Sequence, residues 1–212
     1  MTFAEIVDFT FRWKEIIGAV IGGFFSLWVA LLVAADARNR ENRAAATLLV
    51  AVFTNFVARH DALATLAKSQ DVPAQDHHKW LSEKLTQSSP KLSSLAEAAI
   101  ARLMPFDEIL AVHLELFRTL QGETETHIER VTQDFRDLHE QGKPLRSLKA
   151  MEADAKNSTS AFVGAAKHAS CATNRLVLLV LSSVPTWNRI RMRVNPTRQE
   201  LNCRALRSAT DA

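Results

Sequence analysis

Residues 16–35 read IIGAVIGGFFSLWVALLVAA, twenty consecutive positions without a charge. A helix rises 1.5 Å per residue, so this run covers about 30 Å, roughly the hydrocarbon thickness of a bilayer. A helix also satisfies its own backbone hydrogen bonds, as lipid demands. The stretch predicts a transmembrane helix behind a short tail, residues 1–15. Trp13 lies just outside it, where an indole suits the membrane interface. Two other readings compete. A buried core helix would be shorter and carry a polar side. A cleaved signal peptide would use Arg12 and Lys14 as its basic region and Ala35-Asp36-Ala37 as its cleavage site. The apolar run is too long for that, and Asp36 sits inside the cleavage motif.

Gly18, Gly22, Ser26, Ala30 and Ala34 recur every four residues along this helix. Small residues at that spacing let two membrane helices approach closely. Self-association, or pairing with another membrane protein, is therefore expected. Arg12 and Lys14 precede the span, and Arg38, Arg40 and Arg43 follow it. Basic residues are retained on the cytoplasmic side, so the count places the bulk of the chain in the cytoplasm.

The remaining sequence has the length of one ordinary domain. Six Gly, six Pro and no Tyr in 212 residues, with abundant Ala, Leu, Arg, Glu and Lys, favour helix over strand. The expected fold is all-α: the single N-terminal transmembrane helix, then an elongated antiparallel helical bundle over residues 36–187. Three long helices and some short ones should build it. The first soluble helix runs from Asp36 to Ser69, either separate from the span or continuous with it, with a stripe of Leu49, Val52, Phe56, Leu63 and Leu66. Short helices follow over 75–85 and 91–104. After Pro105 come Phe106, Leu110, Leu114, Phe117 and Leu120, then Ile128, Val131, Phe135 and Leu138, a seam in steps of three and four weakened at Gly122. Gln141-Gly142-Lys143-Pro144 should end that helix. The last helical region spans 145–184 and is expected to be interrupted at Asn157-Ser158-Thr159-Ser160. Leu176–Leu181 is apolar all round but too short to span a bilayer, so it is either buried in the bundle, which is favoured, or lies at the membrane surface.

Chemistry-bearing patterns are sparse. Glu123, Glu125, His127 and Glu129 form the sharpest metal-like cluster. However, the paired Glu-x-x-His motifs of di-iron bundles are absent, as is HExxH. His113 reads as a core histidine, and His77-His78 as surface residues. No GxSxG elbow, GxxxxGK[ST] loop or GxGxxG turn occurs. Cys171 and Cys203, 32 positions apart, make no disulfide framework and no zinc site by themselves. They fit a reducing compartment, although a single disulfide is possible. No cofactor, catalytic residue, metal ligand or small-molecule substrate is expected.

Residues 188–212 carry six arginines against Glu200 and Asp211, while the rest of the chain is close to neutral. This segment is expected to be a basic, flexible tail. Trp187 to Val194 alternates apolar and mainly basic residues, so as a strand it would present separate arginine and apolar faces. Trp187, Arg189, Arg191, Arg193 and Arg198 are the candidates for contact with anionic membrane lipid or, less favoured, nucleic acid. The bland alternative is that the apolar members cap the bundle. Three functions follow: a non-enzymatic membrane-anchored interaction or regulatory protein, a peripheral tether using the basic tail, and a metal-dependent enzyme in the bundle.

Overall fold

The computed structural model describes the backbone of residues 3–87, 91–141 and 146–208. It describes the side chains of residues 20–87, 91–134, 136–137, 139–140 and 146–206. The fold is all-α, and the described residues contain no strand. The chain divides into two compact units, Met1–Asn42 and Arg43–Ala212.

The first helix, α1 (Phe3–Ser69), passes through both units, so the expected span and first soluble helix are one element. It ends where Asp71 adopts a left-handed φ of 47°. Val72 N–H then reaches back to the carbonyl of Ala67 at 3.1 Å, closing the last turn.

Within the second unit, Ala46, Leu49, Phe53 and Phe56 of α1 are buried at steps of three and four. The expected stripe is rotated slightly from this one: Val52 and Leu63 are half-buried and Leu66 is exposed. Two short helices, α2 (His77–Gln87) and α3 (Ser94–Leu103), add Leu81, Leu85, Ile100 and Leu103 to the same core. Ser93 caps α3, its hydroxyl accepting from Ala96 N–H at 3.2 Å.

Helix α4 (Glu108–Gln141) runs through Gly122 without a break. Asp107 caps it, accepting from Leu110 N–H at 2.9 Å. Leu110, Leu114, Phe117, Ile128 and Val131 are buried along the seam, with Leu120 half-buried. Gly142, Lys143 and Pro144, and the side chains of Phe135 and Leu138, lie outside the described residues.

Helix α5 (Leu148–Leu176) lies antiparallel to α4: His113 faces His168, Leu120 faces Gly164, and His127 faces Asp154. Ala161, Ala165, Ala169 and Ala172 give it a thin, buried side. A Cβ built on Gly164 would lie 3.0 Å from Leu120 Cδ1, so the two helices approach closely there. The expected interruption at Asn157–Ser160 does not occur. The hydroxyls of Ser158 and Thr159 donate to the Ala155 carbonyl, at 3.0 and 2.9 Å, and stay inside the helix. A π-helical turn, Val177–Leu181, extends α5; burial of the apolar run is partial, with Leu176, Leu179 and Val180 buried, Leu178 and Leu181 half-buried and Val177 exposed.

The basic tail is not an open segment, and Trp187–Val194 is not a strand. It forms α6 (Pro185–Val194) and α7 (Arg198–Ser208). Pro185 occupies the start of α6, where its missing N–H costs nothing. Thr197 and Glu200 open α7 reciprocally: Glu200 N–H donates to Thr197 Oγ1 at 3.3 Å, and Thr197 N–H donates to Glu200 Oε2 at 2.5 Å. Both helices return to the bundle, because Met192 is buried and Cys203 is bonded to Cys171.

Candidate functional site

The apolar segment of α1 is the first candidate. Every described residue from Val20 to Glu41 is exposed, including Phe25 at 68% and Trp28 at 55%. This helix is long and apolar enough to cross a membrane. Contiguous exposed apolar surface of this extent marks a membrane or protein-interaction site. Nothing lies within 4 Å of a Cβ built on Gly22, and Ser26, Ala30 and Ala34 are exposed. Gly18 belongs to the same helix, but its surroundings fall outside the described residues.

The tail candidates separate into two groups. Arg191 bonds to buried Glu200 at 3.3 Å, and Arg189 lies over the Phe106 ring at 5.7 Å. Glu200 is buried because it caps α7, so Arg191 belongs to the fold. Arg189, Arg193 and Arg198 are exposed. Helical geometry then creates a face that the strand reading missed. Trp187, Ile190 and Val194, at steps of three and four, are all exposed.

Inside the bundle lie two polar clusters. At one end of the α4–α5 pair, Asp154 accepts from His127 Nδ1 at 2.7 Å and from Arg146, which also reaches Asp134 at 3.1 Å. Asp134 and Asp154 are buried, so one guanidinium serves two carboxylates. Burial pushes the Asp154 carboxyl up. The hydrogen bonds from Arg146 and His127, with their charges, outweigh burial and hold it below the ordinary carboxylate range. An aspartate facing a histidine can orient a general base. Here its charge is already shared with Arg146, so the pair acts as an internal strut.

The second cluster sits near the other end. His113 and His168 are buried, with their Nδ1 atoms 3.0 Å apart. One ring must donate and the other accept across that contact. Burial, aided by the charge of Lys167, holds His168 below its usual value and so keeps it neutral. One turn further along α5, Cys171 is bonded to Cys203 of α7, the single disulfide that the sequence left open beside two reduced thiols. Spacing alone could not show this pairing, because it depends on α7 folding back.

The acidic cluster read from sequence disperses. Glu125 accepts from Leu92 N–H and from Gln121, Glu129 lies 4.0 Å from Lys91, and His127 turns to Asp154. Neighbours in sequence point to different elements, so these groups do not converge. His77 and His78 are half-buried rather than surface residues, with His77 beside Trp80 and His78 near Glu152. An open groove of about 860 Å³ lies between α2 and the start of α5, lined by Val72, Trp80, Leu148 and Met151 among others.

Comparison of the chain with protein-family models, with curated proteins and with solved structures finds no match. Fold and site therefore define a class from this chain alone: an all-α protein with, among the described residues, one helix long and apolar enough to span a membrane.

Proposed function

We propose that this is a non-enzymatic, single-pass membrane protein whose bundle faces the cytoplasm and acts by interaction, its anchor pairing with a second copy or another membrane helix. The supporting observation is the uninterrupted exposed apolar surface from Val20 to Val33. Lipid, with a partner helix on the small-residue side, is the environment that surface suits. Arg38, Arg40 and Arg43 after the span, against Arg12 and Lys14 before it, support that orientation. In the cytoplasm Cys171 and Cys203 are held as thiols, and the disulfide is the form reached on oxidation. The exposed Leu148 beside the groove gives the bundle an apolar surface for a partner.

The orientation is tested by fusing compartment-specific reporters to the C-terminus. A reporter active only in the cytoplasm should function; function of the external reporter alone would overturn the reading. The pairing is tested by Gly18→Ile with Gly22→Ile. Branched side chains on that face should weaken association in micelles at least about tenfold, roughly 1.4 kcal/mol. Unchanged oligomers in crosslinking or sedimentation would remove the small-residue face from the proposal.

The exposed Trp187, Ile190 and Val194 on α6, flanked by Arg189 and Arg193, favour a second reading, in which α6 rests on anionic lipid. Each basic residue near such a surface contributes about 1 kcal/mol. Arg189→Glu with Arg193→Glu should therefore reduce binding of the Arg43–Ala212 unit to anionic vesicles more than tenfold at low salt. Equal binding by both forms would exclude α6. Nucleic acid in place of vesicles tests the less favoured partner of the same arginines.

A further inference from the structure

We infer that His113, Cys171 and Cys203 form a buried zinc site when the disulfide is reduced, with His168 holding the imidazole of His113 in place. Three helices converge on this point: α4 brings His113, α5 brings His168 and Cys171, and α7 brings Cys203. A ring nitrogen of His113 and the two sulfurs all lie within 4.8 Å of one another. Ligands around a tetrahedral zinc sit about 3.3–3.8 Å apart, given Zn–S near 2.3 Å and Zn–N near 2.0 Å. The His113–sulfur spacing is thus within a small adjustment of what the ion needs, and the sulfurs separate once their bond is cut.

The donor set suits zinc: two thiolates and a neutral imidazole are soft to borderline ligands, and the first two cancel the ion's charge inside a buried cluster. His168 supplies what a zinc-bound histidine usually has, a partner on its ring that fixes tautomer and orientation, through the 3.0 Å Nδ1 contact. All four residues are buried, so little solvent would reach the ion beyond the one water that completes a tetrahedron around three protein ligands.

The chemistry balances. A dithiol reductant gives two electrons and two protons to the Cys171–Cys203 bond and leaves as its own disulfide. Zinc then displaces the two thiol protons to solvent and binds the thiolates. Either state ties α7 to the α4–α5 pair, by a covalent bond when oxidised and through the ion when reduced. The inference concerns this buried cluster alone and stands or falls independently of membrane orientation.

The test uses the full chain in non-ionic detergent, free of any histidine tag, reduced with a phosphine, and titrated with Co²⁺ as the probe. The reduced protein should bind one equivalent with the thiolate-to-cobalt charge-transfer absorption of a tetrahedral site, and Zn²⁺ should bleach it. The oxidised protein should give no such band, a control that needs no substitution. Cys203→Ser should abolish the band, His113→Gln should weaken binding at least about tenfold, and His168→Gln should weaken it about 10–100-fold. Absence of the band in the reduced chain, or its persistence in the oxidised chain or in Cys203→Ser, overturns the site.

Discussion

Phe117→Ala is expected to destabilise the bundle by about 4–5 kcal/mol, roughly a quarter or more of the stability typical of a domain. Phe117 is fully buried where α1 meets α4. Its ring meets Phe53 edge-on at 4.7 Å and Phe56 at 5.3 Å, and Phe56 in turn touches Phe162 of α5 at 5.0 Å. Truncation removes the transfer free energy of a benzyl group and leaves a cavity among rings that cannot collapse into it. It also loses two aromatic contacts worth about 0.5–1.5 kcal/mol each. Leu95→Ala serves as the control, because Leu95 is 70% exposed and should change stability by less than about 0.5 kcal/mol. Denaturant unfolding of both variants in mild detergent decides the matter. A loss below about 1.5 kcal/mol at Phe117 would mean that this aromatic chain is not the centre of the core.

The same residues show what the sequence can reveal. Leu110, Leu114 and Phe117 are legible because an amphipathic helix writes its buried side every three or four residues. Phe53 is not, because α1 is apolar on more than one side after the span, and periodicity cannot fix its rotation. Gly122 and Asn157–Ser160 look like breaks, yet local propensity costs under about 1 kcal/mol per residue and packing between α4 and α5 overrides it. The tail misleads for the opposite reason. Thr197-Arg198-Gln199-Glu200 has the Thr-x-x-Glu spacing of a capping box, a sign of the start of α7, but the arginine excess around it suggests an open segment. The His113–Cys171–Cys203 cluster has no comparable signal. Its members come from three helices and meet only after the bundle closes, so no spacing rule could bring them together.

Asp154→Asn should cost about 2–4 kcal/mol at neutral pH, and the cost should vanish in acid. The carboxylate receives Arg146 on one oxygen and His127, at 2.7 Å, on the other, with its side chain only 7% exposed. An amide of the same shape keeps one acceptor but turns an N–H toward one of those donors. His127 can change tautomer to meet it, whereas Arg146 cannot. In the native protein burial raises the Asp154 carboxyl, but the bonds and charges of Arg146 and His127 outweigh it and leave the group below its ordinary value of 3.8. The unfolded chain therefore takes up the proton first as pH falls. The stability that this carboxylate adds is complete above the ordinary value and is lost as pH drops through the lower, folded one. The amide of the variant has no proton to gain there. Unfolding curves of the two proteins should thus run apart at pH 7 and close below about pH 4. A gap that stays constant down to pH 3 would show that shape, not charge, makes Asp154 valuable. In that case the Arg146 link between Asp134 and Asp154 would not be the strut that joins α4 to the start of α5.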